Sequence, residues 1–342
     1  MKIVDWNLEW MNRWFSGNAR PRWGSGELSP DEARICARKA AAVIDALAPD
    51  LLCLQEGPSA EAEMALFIEE VLSDADGPRY EALIGSDGGA QKLYVLRRRG
   101  GLVRAVERAT DAATLALAEP WAADVNGDML LEGYEFTRLP LVVDIDPVGG
   151  APVRVVVLHT KSKYVHRGAA LWRDPARRQE FVVAALLARR RISAEGFRLR
   201  AYLDALVAED PEARILVTGD WNDGPGTDFF ERSYLTHNVA DIVLGSTFLP
   251  ELIFHHPLLA HVPAAALFTA RFDDFVDEVT DRPLLLDHFA ISPGLTPWVQ
   301  AAGIGHDAYE AGLTGTGAGA ARVERPSDHR PIWVEIGRPL TG

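Results

Sequence analysis

The sequence predicts an α/β (α+β) protein in which helices cover two mixed β-sheets. Strand patterns and helix patterns interleave along all 342 residues, which is typical of this class. Many of the predicted strands follow one another after short connections, as in hairpins, so a single parallel sheet accommodates them poorly. No repeat and no long linker interrupts the pattern. We therefore predict one domain over residues 1–342.

The first elements are a strand, a helix and a buried strand. "KIVDWNL" alternates and is β-branched, which predicts a strand. In "LSPDEARICARKAAAVIDALAPDLLCLQE", Ser29 fits an N-cap, Pro30 fits the first helical position and Pro49 ends the helix. The run "DLLCLQE" then predicts a buried strand, and "AEAEMALFIEEVLSD" predicts a second amphipathic helix.

Further strands and one long helix complete the predicted pattern. The strand candidates before the long helix are "YEALIG", "QKLYVLRR", "GLVRAVE", "FTRLPLVVDID" and "VRVVVLHT". The helix is predicted from about Asp174 to Glu209, and "RILVTGD", "LLLDHFAIS" and "PIWVEI" predict the last strands. A Gly- and Ala-rich loop is predicted near 301–324, because strands with polar ends flank it on both sides.

Composition and cysteine content bear on the compartment. A hydrophobic content of 48% with 25% charged residues is normal for a globular protein, and the apolar stretch "FVVAALLA" is too short to cross a bilayer. The N-terminus enters a predicted strand without a signal-like apolar core. Cys36 and Cys53 are too few for a disulfide framework. These features predict a cytoplasmic protein with no membrane insertion.

The charge distribution points in two directions. A net charge of −14 argues against a broad surface that coats nucleic acid, because such a surface needs Lys and Arg to displace counterions. The predicted helical basic segment near 161–209 breaks this trend, since eleven basic residues face three acidic ones between Lys161 and Arg200, giving about +8. The segment fits either a solvated helix face or a local basic lip around an acidic centre.

Polar residues stand at the ends of predicted strands in five places. These are Asn7, the pair Gln55 and Glu56, His159 followed by Lys161, the pair Asp220 and Asn222, and the pair Asp328 and His329 before the last strand. A single terminus of this kind is a turn, since Asp, Asn and Gly are common there. Five of them predict that the side chains converge on one cleft.

The chemistry of this set indicates a metal site. Glu56 and Asp328 supply hard oxygen ligands and Asn7 a neutral third, which suits Mg²⁺ or Mn²⁺ better than zinc. Carboxylates gathered without a cation would repel and raise one another's pKa. A divalent ion would offset that repulsion, bind a phosphate oxygen and leave the imidazoles free to act on the opposite side of the phosphorus.

Six motifs, in order, resemble a known family. "WNLEW", "LQE", "LHTKSK", "GDWND", "LLLDHFAIS" and "PSDHRPI" are similar to the motifs of the metal-dependent endonuclease/exonuclease/phosphatase superfamily and cover essentially the whole chain. The resemblance implies a four-layered sandwich of two mixed β-sheets flanked by helices, as in DNase I. It also implies hydrolysis of phosphodiester bonds by water attack at phosphorus, with Glu56 as principal Mg²⁺ (or Mn²⁺) ligand and Asn7 and Asp328 supporting it.

The resemblance implies catalytic roles for five further residues. Asp220 and Asn222 would orient the attacking water and hydrogen-bond the charge that develops at phosphorus. Asp287 would fix the tautomer of His329, as the third member of a triad does. His329 would act as a base toward water or as a protonated phosphate clamp, and His159 would contact the phosphate. The division of acid–base work among Asp220, His159 and His329 stays open at this level.

Some residues are weaker candidates for contacts with the substrate. "HTKSK" contains Lys161 and Lys163 and resembles a stretch of some bacterial secreted nucleases, while Arg138 stands in an "R-x-P-L" pattern that family nucleases often carry. Each of the three also fits a solvent-facing position. The early tryptophans, which are Trp6, Trp10, Trp14 and Trp23, fit core packing or an aromatic wall for a stacking base.

Three functions remain compatible with the sequence. A nuclease with DNA or RNA as substrate is favoured by "HTKSK", "RLPL" and the basic segment. A phosphodiesterase or phosphatase of a small soluble or lipid-linked phosphate is favoured by the negative net charge. A non-catalytic scaffold of the same fold is the third, although none of the matched metal or histidine positions is lost. No obligate protein partner is evident.

Overall fold

The computed structural model describes residues 1–17, 20–86, 89–225, 228–234, 238–246, 248–315 and 320–337. The strands are β1 Lys2–Asn7, β2 Leu51–Gly57, β3 Ser73–Asp74, β4 Gly77–Pro78, β5 Tyr80–Ile84, β6 Lys92–Arg98, β7 Val103–Arg108, β8 Trp121–Ala123, β9 Glu132–Tyr134, β10 Leu141–Pro147, β11 Val153–His159, β12 Ile215–Asp220, β13 Ala270–Asp274, β14 Val279–Leu284, β15 Asp287–Ile291, β16 Val299–Ile304 and β17 Ile332–Ile336. The helices are α1 Pro30–Leu47, α2 Glu61–Val71, α3 Ala112–Leu115, α4 Gly168–Arg173, α5 Arg178–Glu209, α6 Phe229–Tyr234, α7 Val239–Leu244, α8 Pro257–His261 and α9 His306–Gly312.

The first large sheet has six strands in the order β16-β17-β1-β2-β6-β5. Its central pair, β1 and β2, is parallel, and the other neighbours are antiparallel. The register places Asn7 beside Gln55 at the carboxyl end of the parallel pair. The last strand, β17, runs against β1 with Ile332 opposite Asp5. The residues that precede β17 therefore reach the same edge as Asn7.

The second large sheet has five strands in the order β15-β12-β11-β10-β7. Its strand directions are arranged as in the first sheet: β11 and β12 are parallel, and the other neighbouring strands are antiparallel. His159 pairs with Asp220, and Asp220 pairs with Asp287 at the start of β15. Three of the predicted polar residues therefore form one row across three strands.

Four layers result because three apolar clusters separate them. The cluster between the two sheets contains Ile3, Val143, Val157, Leu216 and Val334, all of which are fully buried or nearly so. A second cluster joins the first sheet to α1 and α2, and a third joins the second sheet to α5 and α7. The predicted pair of mixed sheets covered by helices is confirmed.

Helix α1 begins and ends where its local sequence predicts. The Ser29 hydroxyl accepts a hydrogen bond from the Glu32 N–H at 3.3 Å, and the Ser29 N–H donates to the Glu32 carboxylate at 2.8 Å. This reciprocal capping box, with Pro30 in the first turn, fixes the N-terminus. At the other end, Ala48 takes a left-handed conformation before Pro49. Amide and carbonyl groups at both ends are thus satisfied locally.

Two predicted segments differ in extent from the structure. The basic segment near 161–209 is helical only from Gly168 to Arg173 and from Arg178 to Glu209. The segment near 301–324 is not one loop, because it contains the end of β16, all of α9 and a turn of 3₁₀ helix at Arg322–Glu324. Strand β16 forms because its backbone pairs with β17. Residues 316–319 of this segment lie outside the described residues.

Within the described ranges, no helix is both long enough and apolar enough to cross a bilayer.

Candidate active site

The two parallel strand pairs bring polar side chains to one edge of the sandwich. Asn7 is the last residue of β1, and Glu56 is the penultimate residue of β2. His159 and Asp220 are the last residues of β11 and β12, and Asp287 opens the antiparallel β15. Buried strands fix the positions of these side chains. The predicted convergence of strand ends is therefore what the structure has.

A hydrogen bond between Asn7 and Asp220 joins the two sheets at this edge. The Asn7 Nδ2–H donates to Asp220 Oδ2 at 2.9 Å, and Asn7 Oδ1 accepts from the Glu9 N–H at 3.0 Å. The other oxygen of Asp220 accepts from the Asn222 N–H at 2.9 Å. Burial, together with the nearby Asp287 carboxylate, raises the pKa of Asp220 above the ordinary aspartate range, although the His329 cation opposes this.

His329 is held in place by two hydrogen bonds. Its Nδ1–H donates to Asp287 Oδ2 at 2.7 Å, and its carbonyl accepts from the Trp6 indole N–H at 2.8 Å. This leaves Nε2 facing Asp220, 4.0 Å from Oδ2. Burial lowers the pKa of His329, but the carboxylates of Asp287 and Asp220 outweigh burial and raise it well above the usual range. The orienting contact between Asp287 and His329 has the geometry of a triad.

His159 has the opposite electrostatic environment. Its Nε2 lies 3.5 Å from Asp220 Oδ2 and 3.8 Å from Glu56 Oε1. Burial lowers the pKa of His159 well below the usual range, and the positive charges of Arg138 and His329 lower it further. The site therefore combines a neutral imidazole with a charged one, on either side of the Asp220 carboxylate.

Glu56 and Asp328 form an acidic mouth to the site. Both side chains are partly exposed, whereas Asn7, His159 and Asp220 are almost completely buried. Burial and the Asp328 charge raise the pKa of Glu56 to about 7, and a hydrogen bond from the Trp10 N–H at 2.7 Å opposes the rise. Two hard carboxylates that disfavour each other's charge fit a divalent cation.

A second set of oxygen and nitrogen donors lies deeper in the site. The donor atoms of Asp220, Asp287 and His329 lie within 4.8 Å of one another. His329 Nδ1 and Asp287 Oδ2 are bonded to each other at 2.7 Å, which leaves His329 Nε2 and Asp287 Oδ1 as the atoms that could still meet a cation. The carboxylates of Glu56 and Asp328 accept from neutral donors instead, which are the Trp10 N–H at 2.7 Å and the Ser327 hydroxyl at 3.5 Å.

Several residues around the site have left-handed backbone conformations. Glu9, Trp10, Glu56 and Asn222 have φ angles of 48°, 56°, 56° and 51°. Residues with a Cβ rarely adopt this region, and strained residues of this kind cluster at functional sites. The tight turns after β1 and β12 and the bulge near the end of β2 aim the polar groups into the cleft.

Arg138 and Lys161 lie beside the cluster. The guanidinium of Arg138 donates to the Thr160 carbonyl at 3.2 Å and to Gln91 Oε1 at 2.7 Å. The Lys161 backbone N–H donates to Glu195 Oε2 at 2.9 Å, and its ammonium donates to the Ser162 carbonyl at 3.1 Å. The side chains of both cations donate to neutral oxygen atoms in these bonds, so their positive charges are not offset there. Both charges lower the pKa of His159.

The ammonium group of Lys163 binds carboxylates of the protein, whereas the sequence predicted a contact with a substrate phosphate. Its ammonium bonds the Asp223 carboxylate, Glu231 Oε1 at 2.8 Å and Asp228 Oδ2 at 3.4 Å. Arg189 also bonds Asp228. The charge of Lys163 is thus neutralised inside an ion cluster, and the expectation is corrected on that ground.

The rest of the basic segment is used in a similar way. Several of its arginines pair with acidic side chains or stack on aromatic rings, as in the contacts Arg177–Glu180, Arg189–Asp228, Arg200–Asp204 and Arg178 over Trp172. These contacts favour the interpretation of a solvated or internally paired face over that of an open basic lip.

The sequence-based prediction missed three residues that support the site. Glu9 is bonded by Arg325 and lies 3.4 Å from Arg322, which fixes the turn after Asn7. Glu195 is 1% exposed and accepts hydrogen bonds from the N–H groups of Thr137 and Lys161. The signal for Glu195 was available, since an acidic residue that follows three consecutive arginines in a helix is a candidate for an internal partner.

Thr160, the third of these residues, links the two catalytic strands. Its hydroxyl donates to the Trp221 carbonyl at 2.5 Å, and its own carbonyl accepts from Asn222 Nδ2 at 3.2 Å. These bonds join the end of β11 to the end of β12, next to His159 and Asp220. Thr160 therefore fixes the spacing of those two side chains.

By sequence, no protein-family model matches the chain, and no curated protein matches it significantly. Among solved structures, a humanized D. rerio TDP2 with 14 mutations is 14% identical over 98% of this chain and 98% of that one, with a TM-score of 0.50. TDP2 from C. elegans is 12% identical over 98% of this chain and 74% of that one, also with a TM-score of 0.50. At such identities the similarity establishes the fold. The chain therefore shares the fold of these structures, which is the DNase I-like fold.

Proposed function

We propose that this chain is a divalent-metal-dependent hydrolase of phosphodiester bonds and that its substrate is DNA or RNA. The observation that carries the proposal is the arrangement around Asp220, which Asn7 bonds at 2.9 Å and which lies between His159 and His329. A carboxylate, a neutral imidazole and a charged imidazole in one buried cleft suit attack by water on a phosphoryl group.

Glu56 and Asp328 are the residues that would hold the metal ion, with the Asn7 amide oxygen as a neutral supporting ligand. Their hard oxygens favour Mg²⁺ or Mn²⁺, and the pKa of Glu56, raised to about 7 by burial and by Asp328, indicates a place for compensating positive charge. When bound, the ion would polarise a phosphate oxygen and stabilise the negative charge of the transition state.

The remaining residues would act on water and phosphate directly. The Asp220 carboxylate would accept a proton from the attacking water, and Asn222 would orient that water. His329, kept charged by Asp287, would donate from Nε2 to a non-bridging phosphate oxygen. Neutral His159 would donate from its Nε2 to the same phosphoryl group, since this nitrogen faces the cleft carboxylates.

Two cations at the cleft support a polyanionic substrate. Arg138 donates a hydrogen bond to the carbonyl of Thr160, which precedes Lys161 in the chain. The positive charges of Arg138 and Lys161 lower the pKa of His159. They would bind the phosphates beside the one that is cleaved. A small soluble phosphodiester is the second candidate, and the internal pairing of Lys163 and Arg189 favours it because these cations are not free to track a long strand.

The test is cleavage of labelled single-stranded and duplex DNA and RNA with Mg²⁺ or Mn²⁺, with EDTA as a control. The variants Glu56→Ala and His329→Ala should lose turnover by about 100-fold or more while folding normally. Glu335→Gln is the matched control, because Glu335 pairs with Lys2 at the opposite end of β1 from the site. It should retain the full rate.

The outcomes separate the candidates. Metal-dependent cleavage of a polymer that both site variants lose would support the nuclease. Turnover of bis-p-nitrophenyl phosphate without cleavage of any polymer would favour the small substrate. No turnover of either would leave only the binding scaffold.

Both cysteines are buried and form no disulfide, which supports a further proposal that the protein works in a reducing compartment such as the cytoplasm.

A further inference from the structure

Trp10 is an exposed aromatic residue attached to the mouth of the site. Its backbone N–H donates to Glu56 Oε2 at 2.7 Å, while 43% of the residue is exposed. The neighbouring tryptophans differ, because Trp6 and Trp14 are fully buried in the core. Trp10 therefore contributes less buried apolar surface to the core than Trp6 or Trp14 does. A single exposed aromatic residue is common on protein surfaces, but the backbone of this one is bonded to a carboxylate of the site.

The Trp10 ring is held in place by its surroundings. The Arg13 guanidinium lies 4.1 Å from the ring centroid, and Arg13 is itself paired with Glu27 at 2.9 Å. Because Arg13 covers one face of the ring, the exposed surface belongs to the other face and the edge.

The backbone of this turn is also fixed. Glu9 and Trp10 are consecutive residues with left-handed φ angles of 48° and 56°. Arg322 and Arg325 hold the Glu9 carboxylate from the C-terminal part of the chain. Residues persist in such conformations only where the surroundings enforce them. The backbone that carries the indole is therefore fixed relative to Glu56.

We propose that Trp10 forms a stacking subsite for the nucleobase next to the phosphate that is cleaved. This inference rests on the proposed nuclease function and names the recognition that the phosphate site alone does not provide. An aromatic face accepts every base, so the subsite would favour unpaired nucleotides without selecting a sequence. Arg13 behind the ring would strengthen the stack through its positive charge.

The proposal is tested by comparing two single-stranded substrates of equal length and charge. One carries bases throughout, and the other carries base-free tetrahydrofuran residues on both sides of the cleaved phosphate. Trp10→Ala should lower kcat/KM for the first substrate by about 5- to 100-fold more than for the second, the loss expected when one base loses its stacking partner. Trp10→Phe should restore most of the difference, because it keeps an aromatic face.

A binding measurement supplies a readout that does not depend on turnover. In EDTA, fluorescence anisotropy should show that Trp10→Ala weakens binding of the base-bearing strand by a similar factor while the base-free strand is affected less. Phe248→Ala is the control, since Phe248 is 92% exposed and lies between α7 and the 3₁₀ turn Pro250–Leu252. It should change neither ratio.

Different results would refute the stacking subsite and the proposed nuclease function. If wild-type protein cleaves both substrates and Trp10→Ala lowers both equally, the stacking subsite is refuted and the nuclease stands. The subsite is also refuted if Trp10→Phe is as impaired as Trp10→Ala. If wild-type protein cleaves neither substrate with any metal, the proposed function falls and the subsite falls with it.

Discussion

Replacing Glu56 with glutamine should stabilise the protein when no metal is bound. Burial and the Asp328 charge raise the pKa of Glu56 from 4.5 to about 7, so the folded protein disfavours the Glu56 carboxylate. A group with a raised pKa imposes no penalty below pH 4.5, and its penalty grows until the pH exceeds about 7. Glutamine keeps the shape and the acceptor for the Trp10 N–H but carries no charge.

The size of the effect follows from the pKa of Glu56. The difference between 4.5 and about 7 corresponds to roughly 3 kcal/mol at alkaline pH. We expect about 1–3 kcal/mol, because an amide replaces the carboxylate's hydrogen bond only in part. For a chain of 342 residues this is a rise in Tm of about 2–4 °C.

The assay is thermal unfolding in EDTA at pH 8.5 and at pH 5, followed by circular dichroism. The gain should appear at pH 8.5 and shrink toward zero at pH 5. Glu335→Gln, a change in an exposed ion pair, should shift Tm little at either pH. With Mg²⁺ the order should reverse, because the wild-type protein alone keeps the charged ligand. A Glu56→Gln protein that is less stable than wild type at pH 8.5 in EDTA would refute the reasoning.

Three further predictions concern orientation, the ion cluster and pH. Asp287→Asn should lower kcat by about 100- to 10,000-fold with little change in KM, because His329 loses the carboxylate that orients its ring and keeps its imidazole charged; steady-state kinetics would decide, and a near-normal kcat would contradict the role. Lys163→Met should destabilise the fold by about 3 kcal/mol, because it leaves buried carboxylates unpaired, and urea unfolding measures this. Since the pKa of Asp220 is raised by burial and its carboxylate is the proposed base, kcat/KM should fall about tenfold per pH unit below that pKa, whereas a flat profile from pH 5 to 7 would argue against Asp220 as the base.

Local sequence was enough to predict the elements that carry the site. The apolar runs before Gln55 and His159 are buried strands, so the polar residue that ends each run had to reach the sheet edge. The signals at Ser29 and Pro30 are satisfied within one turn of helix, which is why α1 was predicted with correct ends. These features depend on neighbours a few residues away.

What could not be predicted depends on partners far along the chain. Lys163 meets Asp223 and Glu231, which follow it by 60 and 68 residues, and nothing near Lys163 announces them. Strand β16 exists because β17 pairs with it, although its sequence "VQAAGI" is weak as a strand. Motif similarity placed both histidines, but only the three-dimensional arrangement assigns them opposite charge states.

The hydrogen bonds that cross the whole chain have a consequence for experiments on folding. The Trp6 indole bonds the His329 carbonyl over 323 residues, and the Ser327 hydroxyl bonds the Asn7 carbonyl over 320. Contacts of such long range form late and make folding slow. The cleft is therefore complete only when the last strand has docked beside the first. Recovery of phosphodiester cleavage after dilution from urea would then report the docking of the last strand. Two fragments produced by a cut between β6 and β7 separate β1 from β17, so they should be inactive apart and regain turnover together.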